Sequence, residues 1–378
     1  MTHTVIGAYG PWFADRLPDP PVLSLRRDDV TDVAAWKEAA RTRLLERLAM
    51  PDLGATPSVT VTQTCYHDGL DIEHLSWQLP YGPPTQALLL KPAGASGPLP
   101  GILALHDHAG NKYFGLRKIT REGDQHPLMA DHQRDYYGGR AWANEIAKQG
   151  YVVLVPDAFP FGSRRVRLAD VPAELCGALA DPQDHDIAGI AAYNAWAGNH
   201  ETVMSKSLIC GGTTWPGVFL AEDRVALDIL CARPEVDPER IGCGGLSGGG
   251  MRTVYLGGAD ERIRCAVCVG LMTTWRDCLL NKSYTHTWML YVPLLPNELD
   301  LPEILGLRVP LPTMVLNNRQ DRLFTLSEME RADEILARVY AKAGAPEHYR
   351  CHFYDGPHKF DLEMQADAFA WFDRWLKE

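Results

Sequence analysis

From residue 98 onward the chain alternates short, continuous apolar runs with helical stretches, and this order leaves few architectures open. GILALH (101–106) and YVVLVPD (151–157) are the first two runs, and the helical AWANEIAKQ between them ends at Gly150, a natural stop. RIGCGGL (240–246), IRCAVCVG (263–270), TMVLNN (313–318) and YRCHFYD (349–355) follow, each set apart by a helix or a long insertion. A strand without polar alternation must be covered on both faces, so the pattern predicts a mainly parallel sheet in one α/β domain. Residues 58–92 differ, because they alternate and carry turn residues; they read as antiparallel strands opening the sheet.

Helical periodicity marks the flanks. Val33, Trp36, Ala40, Leu44 and Leu48 share one helical face, and Pro51 closes it. This gives an N-terminal extension, residues 1–57, with an amphipathic helix as an accessory packing or dimer element, so a homo-oligomer is among the expectations. A single domain is expected over 58–378. Thr325 and Glu328 form a candidate capping box ahead of Met329, Ala332, Ile335, Leu336 and Val339, while Leu362, Phe369, Phe372 and Leu376 give the last helix a buried face. Three insertions, near 111–138, 158–222 and 271–310, are long enough to be lids or binding walls.

Composition narrows the function. With 37 basic against 48 acidic side chains and a net charge of -11, the 378-residue chain has no basic stripe for nucleic acid. No apolar run approaches the ~20 residues that span a bilayer, so no membrane partner is expected. Nine cysteines, an odd number without repeated spacing, argue against a disulfide framework. The N-terminus lacks a basic segment followed by an apolar one, which makes the cytoplasm the default compartment. These exclusions point to small-molecule chemistry.

The chemistry concentrates at GGLSGGG, residues 244–250, where Gly245-Leu246-Ser247-Gly248-Gly249 matches G-x-S-x-G. The motif follows a predicted strand and precedes MRTVYL, which can begin a helix; that is the setting of a nucleophile elbow. A serine at a strained angle on a tight turn leaves no room for Cβ atoms two residues to either side, and glycines fill both places. The Gly248 N–H, at a helix N-terminus, can stabilise an oxyanion. A serine hydroxyl needs a base, and the base an orienting acid. Asp321 follows TMVLNN and His358 follows CHFYD, both beyond the carboxyl ends of strands and in the order Ser, Asp, His. Asp355 comes too early in its turn and Asp361 falls in the last helix; His348, His352 and His286 are weaker bases by position.

LALHDHAGNK (103–112) ends the first parallel strand, and a loop there normally supplies a second oxyanion N–H, here expected from His108. His106 reads as a brace for that loop, with Asp107 in the same network. His106-x-His108 resembles half of a binuclear metal site, but no Asp-His continuation follows. DPQDHD (181–186) lacks the glycine and distal glutamate of a calcium loop. Neither metal nor cofactor is expected.

HDHAGNKYFG, VPDAFPFGSR, RVALDILCARPEVDPERIGCGGLSGGG, NNRQDRLF and GPHKF together resemble the α/β-hydrolase superfamily, in its dienelactone-hydrolase-like and acetyl-xylan-esterase-like serine esterase branch. The resemblance covers about 98 to 378. It implies a mostly parallel central sheet of about eight strands flanked by helices, and ester hydrolysis through an acyl-enzyme. It carries the nucleophile to Ser247, the acid to Asp321, the base to His358, and the oxyanion donors to Gly248 and the 106–109 loop. Many relatives have glycine where Ala109 stands, which narrows that loop.

The expected reaction is hydrolysis of a carboxylic ester of modest size. Trp275, His286 and Trp288, in the third insertion, either wall a substrate pocket or pack the insertion onto the domain. A serine peptidase of the oligopeptidase type would use the same triad, but the first hundred residues are too few for a propeller gate of ~200 residues. A non-catalytic α/β-hydrolase-fold binding protein would normally have lost a triad member, and none is missing.

Overall fold

In the computed structural model, which describes residues 3–378, every apolar run becomes a strand. The strands are β1 (Thr60–His67), β2 (Leu70–Trp77), β3 (Thr85–Pro92), β4 (Leu99–Ala104), β5 (Val152–Pro156), β6 (Val236–Leu246), β7 (Ile263–Val269), β8 (Thr313–Asn318) and β9 (Tyr349–Tyr354). They form one nine-stranded sheet in the order β1-β2-β3-β5-β4-β6-β7-β8-β9. β1, β2, β3 and β5 pair antiparallel in succession, and every pair from β5 and β4 through β9 is parallel. Segment 58–92 supplies three strands, so the sheet has nine rather than about eight.

Alternation along buried strands divides the core in two. Leu103, Leu154, Cys243, Ala266 and Val315 face one side, under the helices Val33–Leu48, Trp215–Cys231, Gly248–Ala259 and Leu326–Lys342. Ile102, Val153, Val267 and Met314 face the other, under Trp142–Lys148 and Leu362–Leu376. This is the α/β-hydrolase architecture. A satellite cluster of Tyr113, Phe114, Met129, Leu168, Ile190 and Tyr193 knits the first two insertions together, so these long segments carry a small core of their own.

Local expectations fare unevenly. The N-terminal helix buries Trp36, Ala40, Leu44 and Leu48 against the helices Trp215–Cys231 and Gly248–Ala259 of the same chain. It stops at Leu48, with Ala49 left-handed, before Pro51 is reached. The capping box does not form: the Thr325 side chain makes no cap, its N–H donates to Asp277 Oδ2 at 2.9 Å, and Glu328 accepts from Thr274 Oγ1 at 2.5 Å. In the last helix Phe369, Phe372 and Leu376 are buried, but Leu362, in the first turn, is exposed. Asp361 is the N-cap of that helix, accepting the Met364 N–H. Among the described residues no helix is long and apolar enough to cross a membrane.

One buried ion pair fixes the helix that begins at the elbow. Arg252 Nε and Nη2 donate to Asp223 at 3.0 and 2.5 Å, and both side chains are only 3% exposed. Removing one partner strands the other charge away from water. Asp223→Ala is therefore expected to destabilise the fold by about 3–5 kcal/mol, read from urea unfolding. The double variant D223A/R252M should recover most of that loss. A cost for Asp223→Ala below about 1 kcal/mol, the range of exposed pairs, would contradict the burial argument.

Candidate active site

The site is assembled at the carboxyl ends of β4, β6, β7, β8 and β9. Ser247 leaves β6 with φ 59° and ψ -113°, a positive φ that a residue with a side chain adopts only under constraint. The neighbouring glycines have a specific obstacle. A Cβ on either Gly245 or Gly249 would lie 2.1 Å from the Leu105 carbonyl oxygen, at the end of β4. Ser247 N–H donates to the Val269 carbonyl at 2.8 Å, and its own carbonyl accepts the Met251 N–H at 2.8 Å, so the turn is pinned on both sides.

Asp321 and His358 come from loops that hold each other. The Arg319 N–H donates to the Tyr354 carbonyl at 2.8 Å, Gln320 N–H to Gly356 O at 3.2 Å, and Lys359 N–H to Asn318 Oδ1 at 3.1 Å. Asp321 Oδ1 accepts the Leu323 N–H at 2.9 Å, which leaves Oδ2 to accept from His358 Nδ1 at 2.6 Å. The Asp321 side chain is 1% exposed and that of His358 15%, so the bond is shielded from water. As the donor to Asp321, Nδ1 carries the ring proton, which leaves the lone pair on Nε2. His358 Nε2 has no protein partner among the described residues, and His358 and Ser247 line the same cavity. Gly270, at the end of β7, belongs to no sequence motif, yet a Cβ there would lie 2.9 Å from His358 Cε1, so this glycine makes room for the imidazole.

Opposite the elbow, the loop after β4 brings the His108 backbone nitrogen over Gly248, where an added Cβ would lie 3.0 Å from it. Among the described residues neither the His108 nor the Gly248 N–H meets a protein acceptor. His106 braces this loop as its position suggests: Nδ1–H donates to the Asp107 carbonyl at 3.0 Å and Nε2 accepts the Ala158 N–H at 3.2 Å. Burial holds the His106 ring well below the usual histidine pKa, so it is neutral. Asp107 Oδ1 accepts from His132 Nε2 at 3.1 Å and from the Tyr137 hydroxyl. Ala109 takes φ 41°, the left-handed conformation that glycine adopts without strain.

Behind the loop lie charges that carry no sequence signal of their own. Lys118, fully buried, donates to the Asp107 and His108 carbonyls at 2.7 and 2.9 Å. Burial pushes its ammonium down to about 8, opposed by the nearby Asp107 carboxylate. Glu201, from the long helix Ile187–Cys210, accepts from His108 Nε2 at 2.9 Å, from Lys112, and from Thr287 Oγ1 at 2.5 Å. His108 Nδ1 accepts the Gly110 N–H, which makes Nε2–H the donor to Glu201. Burial opposes ionisation of Glu201, but the His108 and Lys112 contacts outweigh it and hold its carboxyl at about 2. One carboxylate thus joins all three insertions at the edge of the site.

The cavity is about 350 Å³ and opens to the surface, and Phe161, Phe219, Met251, Leu271, Met289 and Leu290 make most of its wall apolar. Of the three third-insertion residues singled out in the sequence, His286 lines the cavity, with burial pushing its ring down to about 4. Trp275 is packed in the core at 2% exposure, and Trp288 lies 47% exposed outside the lining. Another cluster of metal-ligating residue types lies elsewhere: Cys65, His74 and Glu122 bring ligand atoms within 4.8 Å of one another, with His74 Nε2 2.7 Å from Glu122 Oε2. None of the three lines the cavity.

No protein-family model matches the chain. It is 27% identical over 293 residues to YtaP of Bacillus subtilis (strain 168), provisionally named a hydrolase, covering 77% of this chain and 83% of that protein. Among solved structures it resembles one from Bacteroides fragilis NCTC 9343, provisionally named an acetyl xylan esterase. The TM-score is 0.66 at 18% identity, over 92% of this chain and 82% of that one. A glucuronoyl esterase from Solibacter usitatus superposes with a TM-score of 0.60 at 16% identity, over 94% and 96% of the two chains. At these identities the structural likenesses establish the fold.

Proposed function

We propose that this chain hydrolyses carboxylic esters through an acyl-enzyme on Ser247. The observation that carries the reading is the 2.6 Å bond from His358 Nδ1 to a buried Asp321, which leaves Nε2 unpartnered in the cavity that Ser247 enters at a positive φ. In the first step His358 Nε2 accepts the hydroxyl proton as Oγ bonds to the ester carbonyl carbon. Negative charge collects on the carbonyl oxygen, where the Gly248 and His108 N–H groups receive it. His358 returns its proton to the departing alcohol, leaving the acyl group on Ser247. Water then repeats the sequence, giving its proton to Nε2, releasing the acid and restoring the serine.

The cavity bears on the substrate. At about 350 Å³ it is near the small end of ligand pockets, and its apolar wall suits a short acyl group rather than a long chain. One structural relative is named for acetyl groups on a carbohydrate and another for a carbohydrate acyl group; the small apolar cavity fits the first arrangement, so we take a short-chain ester of a carbohydrate alcohol as the substrate class.

A panel of p-nitrophenyl esters from acetate to octanoate, run beside acetylated sugars and matched peptide amides, tests this. kcat/KM is expected to be highest from acetyl to butyryl and to fall about tenfold or more by octanoyl, since overfilling a packed pocket costs about 1–3 kcal/mol. Rising activity through octanoate would contradict the short-acyl reading. Preferential cleavage of the amides would favour a peptidase of the oligopeptidase type.

A further inference from the structure

We infer that Lys118 is a positioning residue that sets and polarises the second oxyanion donor, an inference that rests on the ester-hydrolase reading above. A trans peptide points its C=O and N–H in opposite directions. In the Asp107–His108 peptide the nitrogen lies beside Gly248, the residue after Ser247, while the carbonyl is turned inward to Lys118, so the N–H points away from that cation. Two donors hold that carbonyl from behind, Lys118 Nζ at 2.7 Å and His106 Nδ1 at 3.0 Å. The same ammonium takes the next carbonyl, of His108, at 2.9 Å. One cation therefore fixes the orientation of two successive peptides, the second leading into Ala109 at φ 41°. Without that grip, the strained loop is free to turn the His108 N–H away.

The choice of a charged residue has a physical reading. Burying an ammonium is expensive, and a neutral donor would suffice to satisfy a carbonyl. Lys118 is 0% exposed, with the Asp107 carboxylate at 3.7 Å and the Phe161 ring 4.6 Å from Nζ. A cation on the carbonyl side withdraws electron density across the peptide and makes the opposite N–H a stronger donor. That gain is largest when an oxyanion forms, so it acts on the transition state more than on the bound ester. Lys118 is absent from the cavity lining and acts only through the peptide.

The test compares wild type, K118M, D107N and D107N/K118M; the double variant removes both charges, so no unpaired carboxylate is left buried. kcat, KM and the affinity of a small boronic acid are measured on each, with urea unfolding to confirm the fold. K118M against wild type, and D107N/K118M against D107N, should each lose kcat by about ten- to a hundred-fold with KM little changed. Boronate affinity should fall in parallel. A folded K118M or D107N/K118M with the kcat of its parent, or a loss confined to KM, would overturn the inference. If K118M does not fold, the comparison on the D107N background decides. Turnover at the wild-type rate in Ser247→Ala would instead refute the acyl-enzyme on Ser247, and an ester panel on which the wild type shows no turnover would refute the ester-hydrolase reading itself.

Discussion

Ser247→Ala is expected to reduce kcat for a short-chain ester by about 10⁴-fold or more, because the acyl-enzyme can no longer form and the residual rate comes from binding and oxyanion stabilisation alone. The fold should survive. Alanine at φ 59° carries the same Cβ as serine, the Ser247 backbone bonds to Val269 and Met251 do not involve the hydroxyl, and the glycines crowded against Leu105 remain. Steady-state kinetics beside thermal unfolding separate the two effects. Turnover within about tenfold of wild type would mean that another group attacks the ester.

Asp321→Asn is expected to cost a similar factor, about 10⁴-fold in kcat, for a reason fixed by geometry. Asp321 Oδ1 accepts the Leu323 N–H, so an asparagine placed there keeps its amide oxygen toward that donor and turns its NH₂ toward His358. Nδ1 must then accept, the imidazole proton moves to Nε2, and the base can no longer take the proton of Ser247. The shape of the site is unchanged, so KM and unfolding midpoint should remain close to wild type. A D321N enzyme within tenfold of wild-type kcat near neutral pH would exclude Asp321 as the orienting acid.

What could be read in the sequence follows from which constraints are local. The elbow was legible because the strained Ser247 demands glycine two residues to either side, and that demand leaves a pattern of its own. Asp321 and His358 were legible because loops after parallel strands converge at one edge of a sheet. Placement of β5 between β3 and β4 depends on long-range pairing, which periodicity does not record. Thr325 and Glu328 have the spacing of a capping box, yet Asp277 and Thr274 from the third insertion take their polar groups.

Lys112, Lys118 and Glu201 carry no signal in the sequence because charged residues in an insertion read as solvated, and only folding brings them together behind the oxyanion loop. Gly270 carries no motif either, since the atoms it makes room for lie on His358, far along the chain. Trp275 and Trp288 stood out by residue type, but type does not say which way a side chain faces. The cavity is lined by the residues between and beside them.

The central claim is that Ser247 is a nucleophile activated by His358. Intact-mass measurement after treatment with a fluorophosphonate tests it most directly, because that reagent bonds covalently to an activated serine and needs no knowledge of the natural ester. The account predicts one adduct per chain, mapped to Ser247 by peptide sequencing, lost in Ser247→Ala and strongly slowed in His358→Ala. An unlabelled wild-type protein, or equal labelling of wild type and Ser247→Ala, would contradict it.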